Sequence, residues 1–432
     1  MKKFFSTISN IFSIEELRTR ILNTLGFLII FRLGSFITLP GIDPSKLVDN
    51  AGGIFGLLDT FLGGAFSNAS IFGLGIMPYI SASIVLQLLT VAVPYFQKLQ
   101  KEGDSGRKKI SQITRVLTLF ICMAQSAAYL TTISADAIVL NGFFFRISSM
   151  IMLTAGTVFC MWLGEKITDK GIGNGISILI MIGIIANLPG AFAAEILGKL
   201  GGDGGGFVIL LLEIVFLVVV TVFSILLVQG TRRIAIQSTK RVVGARGSSQ
   251  IEGGSRSYIP LKVNAAGVMP IIFAQAIMFL PMALARKFPV LSELQDPFGL
   301  WYNVIFALLI VIFSFFYTAI TIPTNKMADD LKKSGGFIPG IRPGKDTAER
   351  LDSVLSRITF PGSLFLAGLS ILPAIVVQFG VQQGWALFYG GTSLIIMVGV
   401  AIDTIQQINS YLLNSHYDGL MKSGNSKRKS LK

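Results

Sequence analysis

The sequence predicts an all-α polytopic membrane protein with ten spans, arranged as two inverted five-span halves. Three observations carry this. Charged residues are 14% of the 432, where a soluble chain carries about 25%. Apolar runs long enough for a bilayer recur along the whole length, and each span needs about 20 such residues. Finally, Lys and Arg segregate by loop. With the N-terminus placed inside, all but six of the 37 fall on the inner side; the six are Arg32, Lys46, Arg146, Lys199, Arg286 and Lys287. That bias predicts both termini in the cytoplasm and explains most of the +14 net charge.

Residues 1–20 carry Lys2, Lys3, Arg18 and Arg20 and read as an amphipathic segment on the cytoplasmic face. No cleavable signal is expected, because no small-residue cleavage site follows the first apolar run. Span one covers 21–39 and ends at Pro40-Gly41. A short apolar segment, 52–64, is bracketed by glycines and is too short to cross. Span two, 70–94, opens with Gly73, Gly75 and Pro78, which weaken a helix. A half-span followed by a broken span predicts backbone that faces a cavity rather than lipid. The loop QKLQKEGDSGRKKISQ leads to span three at 116–133, and span four is 147–163. The loop GEKITDKGIGNG leads to span five at 176–197, with Pro189 near its outer end.

Residues 198–206 form a Gly-rich linker, which divides an N-terminal half (1–197) from a C-terminal half (207–412). Span six is 207–228, and a polar loop runs 229–263. Spans seven and eight are 264–284 and 301–322. A second polar loop, 323–359, precedes spans nine (362–379) and ten (388–412), and a basic tail, 413–432, closes the chain. Five spans per half force the second half to be inverted relative to the first, a common plan among transporters.

Several function classes are disfavoured. Cys122 and Cys160 lie inside apolar runs, where they read as small packed hydrophobes. The single histidine, His416, lies in the tail. No paired carboxylates or nucleophile–base set occur in the spans, so neither an enzyme nor a metal or cofactor site is expected. An ion-coupled secondary transporter of a small solute is the alternative. It would need charged ligands near the midplane, and the span cores are almost free of them; Arg32 lies in the outer part of span one, Glu213 near the outer end of span six and Asp403 in the inner half of span ten. Residues 340–346 and 171–177 superficially resemble nucleotide motifs, but both have the wrong spacing or residues.

The two long polar loops carry fourteen basic residues between Arg232 and Arg357. Topology alone does not require loops of about 35 residues, and structureless loops of that length are uncommon unless functional. They suit docking to an acidic protein surface or to ribosomal RNA phosphates. FIPGIRPG contains Pro339-Gly340 and Pro343-Gly344, turn chemistry that would hold Arg342 in place.

Six separated motifs, in order, resemble the SecY family, the channel subunit of the bacterial protein translocase. They are LGIMPYISASIVLQLLT, KEGDSGRKKISQ, MWLGEKITDKGIGNGISILI, LKVNAAGVMPIIFA, ADDLKKSGGFIPGIRPG and YGGTSLIIMVGVAIDT. The resemblance implies a central pore in the cytoplasmic membrane that passes unfolded secretory polypeptides and releases hydrophobic segments sideways into lipid. It implies a pore ring at Ile76, Ile80, Ile176, Ile180, Ile272 and Ile396, all isoleucine here. It places a plug helix at about 52–68, with Ile54, Phe55, Leu57, Leu58, Phe61 and Leu62 as its apolar residues. Ser81, Gln87 and Gln275 are the candidate polar groups of the lateral gate. Lys240, Arg241, Arg246, Lys332, Lys333 and Arg342 are the candidate contacts for cytosolic partners. The partners implied are SecE-like and SecG-like membrane subunits, a SecA motor, the ribosome and membrane lipids. One departure falls at the loop after span six, where Ala245-Arg246 stands in place of adjacent arginines.

Overall fold

The computed structural model describes residues 14–43, 62–131, 142–201, 206–238, 256–285 and 296–429, with a few isolated positions between them. In chain order the helices before the first strand are α1 (Glu15–Gly34), α2 (Met77–Ala92), α3 (Pro94–Lys101), α4 (Asp104–Leu130), α5 (Phe143–Lys170), α6 (Gly175–Leu200) and α7 (Gly206–Gln229). Strands β1 (Thr231–Ser238) and β2 (Arg256–Lys262) follow. Then come α8 (Met269–Ala285), α9 (Leu300–Thr321), α10 (Thr324–Ser334), β3 (Gly336–Phe337), α11 (Lys345–Gln378), α12 (Gln383–Ala386) and α13 (Gly391–Lys429). The chain divides into two compact units, Met1–Gly198 with Ile396–Lys432, and Lys199–Ile395.

The ten predicted runs fall in order on α1, α2, α4, α5, α6, α7, α8, α9, α11 and α13. Among the described residues, seven helices are long and apolar enough to cross a membrane, and the bent pair α2–α3 makes an eighth. The other two fall short for local reasons. Helix α1 carries Arg18, Arg20 and Arg32, and α8 has 17 residues. The protein is therefore a predominantly helical, multi-pass membrane protein.

In the first unit, the weakened start of span two is realised as turns. The helix begins at Met77, with Pro78 in its first turn, where the missing N–H costs nothing. Upstream, residues 63–76 form consecutive turns joined by a single bridge at Ser70. Gly75 has φ +50°, and an added Cβ there would collide with the Leu62 side chain. The freed backbone is not left unsatisfied. Leu39 N donates to Ala69 O and Ile71 N donates to Ile37 O, each at 2.9 Å, so this segment pairs with the chain leaving α1. Below α2 the chain turns by 101° into α3. A core of Leu39, Ile42, Leu74, Cys122, Tyr129, Phe145 and Leu153 holds the turns against α4 and α5.

Helices α4, α5 and α11 extend well past the hydropathy boundaries into the polar loops. Helix α4 starts at Asp104 and α11 at Lys345, each after a glycine with positive φ. Hydropathy marks the lipid-facing length, but backbone hydrogen bonding continues for as long as the chain permits.

In the second unit, α9 packs along α8 and α11. The two predicted polar loops of this unit are not structureless. They build a three-stranded antiparallel sheet in the order β2-β1-β3. Thr231 faces Lys262 at one end of the hairpin and Gln237 faces Arg256 at the other. Gln237 also faces Phe337 of β3. Ile234, Ile236, Ile259 and Leu261 share one face by two-residue alternation, with Ile236 and Leu261 buried. Pro260 lies on an edge strand, the position that tolerates a residue without an N–H. The sequence signal for this sheet is the Arg-Ile-Ala-Ile alternation at 233–236.

Candidate functional site

Five of the six isoleucines predicted to form the ring stand in the first unit. Ile76 caps the start of α2 and is 4% exposed, while Ile80, one turn on, is half-buried and donates its N–H to Ile76 O. Ile176 and Ile180 occupy the first turns of α6, also one turn apart, and Ile176 rests against Gly164 of α5. Ile396 on α13 is 4% exposed. Ile272, in the first turn of α8, is half-buried in the second unit. Spacing of i, i+4 puts each pair on one helix face. Such side chains offer no polar atom, and a constriction built from them excludes ions by dewetting.

The start of α6 is set by side chains rather than by backbone pairing alone. In the loop before it, Ile172 N donates to Thr24 Oγ1 of α1 (3.2 Å), Gly173 N to Gln407 Oε1 of α13 (2.7 Å) and Gly175 N to Thr168 Oγ1 of α5 (2.9 Å). Asn174 Oδ1 accepts from Ile176 N and Ser177 N and so caps the helix.

Of the plug residues, Ile54, Phe55, Leu57, Leu58 and Phe61 lie outside the described residues, and Leu62 is 5% exposed. The chain just after them is anchored at four points. Asp59 Oδ1 accepts from the N–H groups of Phe66 and Ser67, and Asp59 Oδ2 accepts from Ser67 Oγ. Asn187 of α6 donates to Asp59 O at 3.1 Å, and Tyr129 of α4 donates to Phe66 O at 2.7 Å. Arg32 of α1 donates to Gly63 O at 2.9 Å. The sequence reading singled out only Arg32 from this set. The signal for Asp59 was a carboxylate within reach of Ser67 in a Gly-rich turn, a pattern common to many loops.

Among the gate residues, Ser81 donates to Met77 O within α2, and Gln87 Nε2 reaches Ser83 Oγ at 3.5 Å, also within α2. Gln275 is half-buried on α8 in the second unit. Of the basic residues, Lys240, Arg241 and Arg246 lie outside the described residues. Lys332 and Lys333 are exposed in the last turn of α10. Arg342 is exposed just past a tight turn, in which Ile341 N donates to Ile338 O and Gly340 has φ +81°. Proline followed by a positive-φ glycine is the type II arrangement. Thr347 Oγ1 donates to Arg342 O at 2.8 Å and closes the far side of the turn.

Two further span charges, Glu213 and Asp403, have a structural partner or solvent. Glu213 of α7 lies 3.4 Å from Lys199 Nζ, which also donates to Gly380 O at 2.9 Å. Asp403 is exposed. No group of three or more His, Cys, Asp or Glu able to hold a metal occurs among the described residues.

Known proteins share both the sequence pattern and the fold of this chain. The sequence model of the SecY family matches residues 70–405. The protein translocase subunit SecY of Corynebacterium glutamicum is 40% identical over 96% of this chain and 100% of its own length. A solved structure described as that of a protein conducting channel shares the fold with a TM-score of 0.63, at 17% identity, over 91% of this chain and 92% of its own. Sec61 in the canine ribosome-channel complex does so with a TM-score of 0.58, at 17% identity, over the same shares. None of these is a solute transporter, and the ion-coupled reading falls away. With most of its length matched by the family model and nearly all of it by a close relative, this chain belongs to the SecY family.

Proposed function

We propose that this chain is the channel subunit of a bacterial protein translocase, passing unfolded secretory polypeptides across the cytoplasmic membrane and releasing hydrophobic segments into it. The observation that carries this is the constriction set. Isoleucine stands at all six positions that the resemblance assigns to the pore ring, and four of the six come as one-turn pairs on α2 and α6. Branched aliphatics close around a sliding chain of varied bulk without holding any one side chain, as a conductor of many sequences requires.

The finer features follow the same reading. The chain is organised as two inverted halves, 1–197 and 207–412, joined by the 198–206 linker, with both termini cytoplasmic. Residues 52–68 act as the plug, with the Asp59–Ser67 turn as its fixed end. Ser81, Gln87 and Gln275 tune the lateral gate. The sheet and α10, bearing Lys332, Lys333 and Arg342, form the platform for a SecA motor or a ribosome, to which Lys240, Arg241 and Arg246 also contribute. The exposed basic residues and the ribosome-channel neighbour support that assignment. SecE-like and SecG-like subunits complete the membrane complex.

The test is a photocrosslinker at Ile80 during translocation of a stalled secretory substrate. Crosslinks that appear only with the substrate engaged are expected. A stalled intermediate that never crosslinks at Ile80 overturns the reading.

A further inference from the structure

We propose that Gln407 is a positioning residue for the constriction. By accepting the Gly173 N–H it registers the first turn of α6, which carries Ile176 and Ile180, to the helix that carries Ile396. The proposal rests on reading these isoleucines as the constriction.

The Gly173–Gln407 hydrogen bond, at 2.7 Å, is the shortest that this loop makes to a side chain. Gly173 has φ +77°, so the chain reverses there with its N–H turned towards α13. Thr404 and Gln407 are three residues apart and so share a face of α13. Thr404 Oγ1 lies 3.2 Å from the position a Gly173 Cβ would take, so the loop and the helix touch through both residues. Gln407 follows Ile396 by eleven residues, which is three helical turns with a drift of only about 20°. The same face of α13 therefore presents Ile396 at one level and Gln407 roughly 16 Å further along.

The other supports of this loop do different work. Thr168 belongs to α5 and Asn174 to the loop itself, and each satisfies local N–H groups. Thr24 ties the loop to α1. Gln407 alone among these acceptors stands on a ring-bearing helix. The contact is backed by Arg20 of α1, whose guanidinium lies 5.1 Å from the ring centroid of Tyr411, one turn beyond Gln407, and donates to Gly171 O at 3.3 Å. A ring closed only by dispersion contacts is sensitive to register. A radial gap of about 0.5–1 Å already forfeits a quarter to a half of each contact, and a widened apolar constriction admits water.

The experiment uses the complete translocase complex in planar bilayers and reads resting ion conductance per inserted channel, with no substrate present. Gln407→Ala raises resting conductance by about fivefold, the ratio that one ordinary hydrogen bond sets between two populations. Gln407→Leu, which keeps bulk but cannot accept, does the same. Gln407→Glu, whose carboxylate still accepts from Gly173, keeps the seal; a merely space-filling role would let the Leu variant seal as well. Should Gln407→Ala fail to accumulate in the membrane, Gln407→Asn, one methylene short of Gly173, is read in its place. Sealed Ala and Leu channels, or a Glu channel that leaks as Ala does, overturn the proposal. The pair Ile176→Gly with Ile180→Gly is measured alongside. If it stays sealed, the constriction reading itself fails; if it leaks while Gln407→Ala does not, only the role of Gln407 fails.

Discussion

The Arg32 guanidinium donates a 2.9 Å hydrogen bond to the carbonyl of Gly63 and lies over the Phe36 ring, 5.2 Å from its centroid. A span arginine thus fastens a turn of backbone that no helix satisfies. Removing it by Arg32→Leu leaves that carbonyl without its charged donor, a loss of about 1.5–3 kcal/mol. The expected result is faster amide hydrogen exchange across residues 62–71, with the exchange of α4 and α5 unchanged.

Lys199 and Glu213 form an ion pair whose side chains are 18% and 7% exposed. Removing one partner of a buried pair costs about 3–5 kcal/mol, whereas replacing both by apolar residues is often neutral. Glu213→Leu alone is expected to lower the thermal unfolding midpoint in detergent. Adding Lys199→Met is expected to recover most of the loss.

The proposed constriction predicts a leak. Replacing Ile76, Ile80, Ile176 and Ile180 together by Gly removes the branched aliphatic lining. Resting conductance in planar bilayers is expected to rise at least tenfold, the change that about 1.4 kcal/mol of lost closure brings. An unchanged resting conductance would count against the ring.

Gly340 sits at φ +81°, and an added Cβ there meets nothing within 4 Å. The cost of Gly340→Val is therefore backbone strain alone, at least about 1–2 kcal/mol. Because the turn presents Arg342, the variant is expected to weaken ribosome or motor binding several-fold while the resting seal holds. Cosedimentation with ribosomes and conductance measured on the same preparation check both halves of this expectation.

Much of the fold was legible in the sequence because a bilayer imposes a local rule. About 20 successive apolar residues are needed to cross it, so spans can be counted along the chain without knowing what touches what. The broken start of α2 was legible in the same way, since Gly73, Gly75 and Pro78 act on their own backbone. The β1–β3 pairing was not, because Gln237 and Phe337 meet only when two loops converge. Nor was the anchoring of the turns before α2, where Asn187 of α6 reaches Asp59 and Tyr129 of α4 reaches Phe66.

By itself the sequence determined a many-span membrane protein, its order of spans and, through six motifs in register, its family. These are properties of short windows, set by hydration and local backbone freedom. The tertiary structure alone decided which polar side chains hold those windows in register. Gly173 and Gln407 are 234 residues apart. In an apolar environment every N–H and C=O must find a partner, and helix packing rather than distance along the chain decides which partner it finds.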